Sequence, residues 1–290
     1  MFLRCMHETQ YRYRTLSFDS HNELRLQPLT DEHQSCASFS VETDPSAPIF
    51  SLVEIGGPVH FFNVRAGHDH LNITACSEVR TSSADPFRGV NLLDDDWAFY
   101  DTDMCRQRYA EFLCPSPYAI SHPRATEMAE GAKLRCAGSS VATTLIDLSR
   151  YIHEEFTYDP DVTQVHSTVA EVLELKAGVC QDFAHLMISC CRSIGIPARY
   201  VSGYLYVGAT RMRGHGAMHA WLECPMPDGR WLAIDPTNNL LQTEQYIRVH
   251  LGRDYTDVTP TRGLYMGAPA LSMDVKLSVL RVEKAEAHSA

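Results

Sequence analysis

Near the middle of this 290-residue chain stand, in order, the three residue types that make a nucleophilic catalyst. Cys180 lies in AGVCQDFAHLMISCCRSIGIPAR, His219 in HGAMHAWLEC and Asp235 in RWLAIDPTNN, 39 and then 16 positions apart. The chain has ten cysteines, so the first question is what distinguishes Cys180. It follows Gly178-Val179 and opens a run with helical apolar spacing. A sulfur at a helix N-terminus meets backbone N–H groups and a dipole that favour the thiolate, and the same N–H groups can donate to an oxyanion. Cys190 and Cys191 fall in mid-helix, where cysteine packs as a small hydrophobe. A thiol nucleophile also needs a base and a group to orient that base. His219 and Asp235 lie in strand-like runs on either side of Pro225-Met226-Pro227-Asp228-Gly229. A turn centred on Pro227 sets them directly opposite, with β-carbons about 5 Å apart. A slip of one residue leaves them diagonal and still within reach.

The neighbours of these residues carry weaker signals. Gln181 and Asp182 fall on the first helical turn, where Asp182 complements the helix N-terminus and either can meet substrate. Trp221, two residues after His219, is expected to pack in the core or to screen the site from water. His215, His219 and Cys224 raise the question of zinc. However, HxxxH gathers two imidazoles on one face only in a helix, and Gly214, Gly216 and Trp221 spell a loop and then a strand. LLDDDW, residues 92 to 97, lacks the twelve-residue calcium loop. No metal and no cofactor are expected.

The elements that must position these groups differ between the two ends of the chain. Residues 1 to about 85 alternate or are β-branched in ETQYRYR, ASFSVETD, VHFFNVRAG and LNITACSEVRTSS, with DPSAP and GGP as breaks. That pattern predicts an antiparallel β-sandwich. Residues 86–125 read as a proline-rich connection with a short helix near Met104–Leu113. Beyond it, Val141, Leu145, Leu148, Ile152 and Phe156 have helical spacing after a Ser139 or Ser140 cap. Thr168 with Glu171 forms a capping-box pattern. The helix opened by Cys180 stops at Gly195 and Pro197. ARYVSGYLYVG, HAWLEC and RWLAIDPT follow as strands, and LSMDVKLSVLRVEK reads as one more. Helices followed by strands give an α+β core. The expected division is a β-rich domain with its connection over 1–125, a catalytic core over 126–267, and a C-terminal strand and tail over 268–290.

Composition is that of a globular protein, 44% hydrophobic and 21% charged, with a net charge of −11. Such a balance argues against nucleic acid and against anionic membrane surfaces as partners. The opening MFLRCMHETQYRYR lacks the apolar run of a signal peptide, and no stretch approaches the roughly 20 apolar residues of a membrane span. Reduced cysteines and a cytoplasmic location are therefore expected.

AGVCQDFAHL, HAWLE and AIDPTNN resemble the three core motifs of the transglutaminase-like superfamily, and RSIGIPARYVSGYL and YIRVHLGRDYTDVTPTRGLYMG fit between and after them. More narrowly, the chain is similar to bacterial transglutaminase-like proteins with a β-rich N-terminal region. The resemblance is weak over residues 1–85 and strong over 139–267. It implies a papain-like core in which a helix bearing cysteine packs on an antiparallel sheet bearing histidine and aspartate. Cys180 would be the nucleophile, His219 the base and then the acid, and Asp235 its orienter. The implied substrate is a protein or peptide, attacked at a peptide or glutamine amide through an acyl-thioester. Hydrolysis by a cysteine peptidase or amidase is the leading expectation. The alternatives are amine-accepting transglutaminase activity and a non-catalytic binding module. Animal transglutaminases use an upstream Trp as an oxyanion donor. No Trp stands between Trp97 and Cys180 here, which leaves Tyr158 in EEFTYDP as the nearest aromatic hydroxyl. Calcium dependence is not implied. The polar segment GRDYTDVTP is expected either to rim the cleft or to be a solvated loop.

Overall fold

A computed structural model describes residues 1–82, 96–162, 167–208, 212–213 and 217–282. The chain opens with five antiparallel strands, β1 (Phe2–Leu24), β2 (Gln34–Asp44), β3 (Phe50–Glu54), β4 (Gly57–Val64) and β5 (His68–Thr81). They hydrogen-bond in the order β2-β5-β1-β4-β3. The antiparallel β character read from alternation is therefore present, but the strands are connected as one curled sheet. The reason is the length of β1. Its first half, Phe2–Arg12, pairs with β5, and its last residues, Ser20–Leu24, pair with β4. Between them the register shifts, and Asp19 takes a positive φ of 46°. One strand thus serves both halves.

The helices follow: α1 (Asp103–Arg108), α2 (Pro123–Arg135), α3 (Val141–Glu155), α4 (Val169–Leu175) and α5 (Cys180–Ser193). The short helix read near Met104–Leu113 divides into α1 and a 3-10 turn at Ala110–Phe112. The caps follow local chemistry. The Ser140 hydroxyl accepts from the Thr143 amide, and Asp96 accepts from the Val141 amide at 2.7 Å. Thr168 and Glu171 close the capping box of α4. Gly195, at φ +82°, follows α5. The helix α2 buries only Ala125, Ala129 and Ala132. Its apolar stripe is made of methyl groups, too small to stand out by hydrophobicity.

Two short strands, β6 (Thr157–Tyr158) and β7 (Ala177–Gly178), pair in parallel and tie the ends of α3 and α4 beside the start of α5. A second antiparallel sheet contains β8 (Arg199–Leu205), β9 (His219–Pro225), β10 (Trp231–Asp235), β11 (Leu240–Leu241) and β12 (Tyr246–Gly252), in the order β11-β10-β9-β8-β12. Alternation along β9 separates its two faces. Ala220, Leu222 and Cys224 join the helical core with Cys180, Met187, Cys190 and Cys191. Trp221 packs with Val201, Ala233 and Tyr246 on the other side. Against that other side lies the N-terminal sheet, through Leu3, Cys5 and Val79 on Tyr204, Ile247 and Val249. Gln34 clasps the Arg248 backbone by two hydrogen bonds of 2.8 Å.

The segment GRDYTDVTP forms a short helix, α6 (Tyr255–Val258), capped by buried Asp254. Asp254 also holds the Tyr118 amide at 2.8 Å, so this segment is a structural brace. The chain then returns to the first sheet as β13 (Thr261–Met266) and β14 (Ala270–Arg281), both antiparallel to β1. Among the described residues no helix is long and apolar enough to cross a membrane.

Candidate active site

Cys180 is the first residue of α5, so its own N–H has no intrahelical acceptor. The turn before it is tight for a visible reason. The Asp182 carboxylate folds back and accepts the Val179 amide at 2.9 Å. A Cβ on Gly178 would lie 2.8 Å from that carboxylate oxygen, so the position has no room for a side chain. Asp182 is 1% exposed, and its carboxylate serves the helix start. Gln181 lies beside Cys180 on the first turn and is partly exposed. Cys180 itself is 8% exposed, more than the other cysteines of the helical core.

His219 opens β9 and Asp235 closes β10. The observed pairing sets Trp231 opposite Pro225 and Ile234 opposite Leu222. Continued by one step, that register puts Asp235 opposite Trp221, with His219 diagonal to it. The turn expected to centre on Pro227 centres one residue later. Its cause is an extra residue at Gly229, which adopts φ +86° and donates to the Met226 carbonyl at 2.9 Å. The diagonal reach is still short enough: His219 Nε2 lies 2.7 Å from Asp235 Oδ2, both residues being about 1% exposed.

Asp235 is held from every side. Its Oδ1 accepts the amides of Thr237 at 2.9 Å and Asn238 at 3.3 Å. Its Oδ2 accepts Asn238 Nδ2 at 2.8 Å and the Tyr246 hydroxyl at 2.8 Å, besides His219. Burial pushes this carboxyl up, but His219 and these donors outweigh it and hold Asp235 below the usual carboxylate range. Burial likewise pulls His219 down, and the Asp235 charge and hydrogen bond reverse that, with a smaller contribution from Cys180, to about 10. The imidazolium is therefore the favoured form at neutral pH. With Nε2 given to Asp235, Nδ1 remains; Cys180 raises the imidazole a little further without a hydrogen bond of ordinary geometry.

Trp221 is fully buried beneath the histidine, its ring 6.1 Å from that of His219 and T-shaped against Tyr246 at 5.3 Å. It packs under the imidazole as a core residue. Room for it depends on Gly203 of β8, where a Cβ would lie 2.3 Å from the indole. Tyr158 is half-buried and held opposite Gly178. Burial, and next the nearby Cys180, push its phenol up to about 12, so it is an O–H donor at neutral pH. Cys224 packs in the helical core, and among the described residues no group of three His, Cys, Asp or Glu side chains is placed to hold a metal ion; His215 and residues 92–95 lie outside the described residues.

Tyr246 and Asn238 are the site residues that the sequence concealed. Asn238 stands in the same AIDPTNN run, where an Asp followed by Asn three residues on is a turn signal. Tyr246 comes from a different strand and offered none.

The sequence profile of the transglutaminase-like superfamily matches residues 134–236, a span that contains Cys180, His219 and Asp235. The profile of the bacterial transglutaminase-like N-terminal region matches residues 3–80. A protein of Mycobacterium leprae is 36% identical over 97% of this chain and 99% of its own length. The chain belongs to the transglutaminase-like superfamily. A protein-glutamine gamma-glutamyltransferase of Pseudomonas aeruginosa is 30% identical over 54% of this chain, which is 25% of that protein. The crystal structure of a candidate cysteine protease from Cytophaga hutchinsonii superimposes with a TM-score of 0.73 at 20% identity, covering 98% of this chain and 92% of the other. The transglutaminase-like fold thus extends through the curled N-terminal sheet as well as the core.

Proposed function

We propose that this transglutaminase-like protein is a thiol-dependent enzyme acting on amides of peptides or proteins, with Cys180, His219 and Asp235 as its catalytic residues. The observation that carries the reading is the buried His219–Asp235 pair, at 2.7 Å, whose imidazole is kept proton-rich beside a cysteine at a helix N-terminus. An acid is already in place for the step that usually limits amide cleavage, expulsion of an amine.

In the proposed reaction the Cys180 sulfur attacks the carbonyl carbon, and a C–S bond forms while the carbonyl electrons move to oxygen. The N–H of Cys180 is the donor available for that oxyanion. His219 delivers its proton to the nitrogen as the C–N bond breaks, leaving an acyl-thioester and a free amine. Neutral His219 then takes a proton from water, which attacks the thioester, releases the acid and restores the thiol. Hydrolysis is the leading outcome. Transfer to an amine is the second reading, favoured by the gamma-glutamyltransferase similarity over the core.

Mass spectrometry of casein-like peptides incubated with a labelled primary amine separates these readings. Chain cleavage is the expected product, and a one-dalton gain at Gln marks side-chain hydrolysis. Amine incorporation would transfer the assignment to the second reading. Turnover equal to that of Cys180→Ser in every channel would end the enzymatic assignment.

A further inference from the structure

Arg213 carries a charge that the chemistry above does not use. Its backbone is fixed to the site by one side chain. The Arg213 amide donates to Asn238 Oδ1 at 2.8 Å, and its carbonyl accepts Asn238 Nδ2 at 3.3 Å. The same Nδ2 donates to Asp235 Oδ2. The main chain at Arg213 is therefore one carboxamide away from the carboxylate that orients His219.

The guanidinium has no such anchor. Among the described residues no carboxylate lies within ion-pair distance of it, whereas Arg199 and Arg248 nearby in the same sheet each hold one. Its polar contact is His153 Nδ1 at 3.4 Å. That nitrogen lies 2.9 Å from the Thr237 carbonyl and must carry its proton there. Arg213 and His153 thus meet donor against donor, and the guanidinium keeps its N–H groups for another acceptor. His153 belongs to the last turn of α3, and Tyr158 follows five residues on, placed opposite Gly178 by β6–β7 pairing. The Tyr158 phenol lies in the field of both Cys180 and Arg213. A partly exposed cation, tied through Asn238 to Asp235, and a phenol held opposite Gly178 therefore belong to the surroundings of the triad.

We propose that Arg213 and the Tyr158 hydroxyl form an anion subsite beside Cys180, so that the substrate carries a carboxylate next to the amide attacked, as in an acidic peptide. The inference rests on Cys180 being the nucleophile and adds the substrate class. With no carboxylate partner among the described residues, the guanidinium gives up little when a carboxylate arrives, and its desolvation on the site side is already partly complete.

Two alkylating agents of nearly equal size test this on the full chain. Iodoacetamide is neutral and iodoacetate carries a carboxylate; in each the Cys180 sulfur forms an S–CH2 bond as iodide leaves. The quantity read is the ratio of the iodoacetate to the iodoacetamide rate at Cys180, followed by peptide mass spectrometry. Arg213→Gln is expected to lower that ratio about five- to tenfold while the iodoacetamide rate stays near that of the parent, because the backbone clamp by Asn238 is unaltered. Arg213→Lys should keep most of the ratio, and added salt should lower it more steeply in the parent than in Arg213→Gln, where the His219 imidazolium is the cation left beside the sulfur. An unchanged ratio in Arg213→Gln overturns the subsite and leaves the nucleophile intact. A Cys180 no faster than the other thiols toward the neutral reagent overturns the nucleophile, and the subsite with it.

Discussion

Replacing Asp235 by Asn tests the electrostatic logic of the site, because the change keeps the shape and removes the charge. Two influences on His219 oppose each other in the native protein. Burial, the larger single influence, favours the neutral ring, and the Asp235 charge and hydrogen bond together overcome it, holding the imidazolium to about 10 against an ordinary 6.5. A group whose folded value is raised stabilises the fold fully below its unfolded value and loses that contribution as pH climbs through the folded one. His219 should therefore stabilise the protein most below about pH 6.5 and progressively less up to about pH 10. At about 1.4 kcal/mol per tenfold change in proton affinity, the ceiling on this contribution is about 5 kcal/mol. Relaxation of the buried pair brings the expected effect to about 2–4 kcal/mol. In Asp235→Asn burial is opposed only by the smaller influence of Cys180, and His219 should drop far below its parent value, toward 6.5 or lower. Urea denaturation at about pH 6, 8 and 9.5 reads the consequence, and ring nitrogen NMR reads the titration directly. The gap in stability between parent and variant should be widest at the acid end of this window and narrow toward the alkaline end. A constant gap across the window, or a parent His219 that titrates at 6.5 or lower, would refute the reasoning.

Other substitutions probe the supports of the pair. Tyr246→Phe deletes one donor to Asp235 while the ring keeps its packing on Trp221; a loss of about 1.5–3 kcal/mol in denaturation at neutral pH is expected, and turnover should fall with it. Gly203→Ala drives a methyl group into the Trp221 indole and the Ile247 carbonyl, both 2.3 Å from the new Cβ, and should cost about 3 kcal/mol or prevent folding; native-like stability would show that Trp221 is free to move. Glu223→Ala leaves the guanidiniums of Arg199 and Arg248, now 2.6 and 2.9 Å from the carboxylate, without their shared buried partner. A loss of about 3–5 kcal/mol in chemical denaturation is expected there, and a loss under 1 kcal/mol would mean that water reaches the network.

Local chemistry determined much of this protein. The stripe from Val141 to Phe156, the box of Thr168 and Glu171, and the Gly195 stop each depend on residues within four or five positions, so a linear reading recovers them. The order Cys180, His219, Asp235, and the placement of the cysteine at a helix start, were legible in the same way. The tertiary structure decided what depends on distant partners. A left-handed glycine at position 229 moved the β9–β10 register by one residue and made the histidine–aspartate contact diagonal. Small methyl groups suffice for α2 because neighbouring helices cover them. Tyr246 reaches Asp235 only because β12 returns beside β8, and Arg213 joins the site only through the Asn238 carboxamide. Periodicity and capping are short-range and are written in the chain, whereas strand register, the length shared by β1 and the neighbours of a buried charge are settled by the packing of segments far apart in sequence.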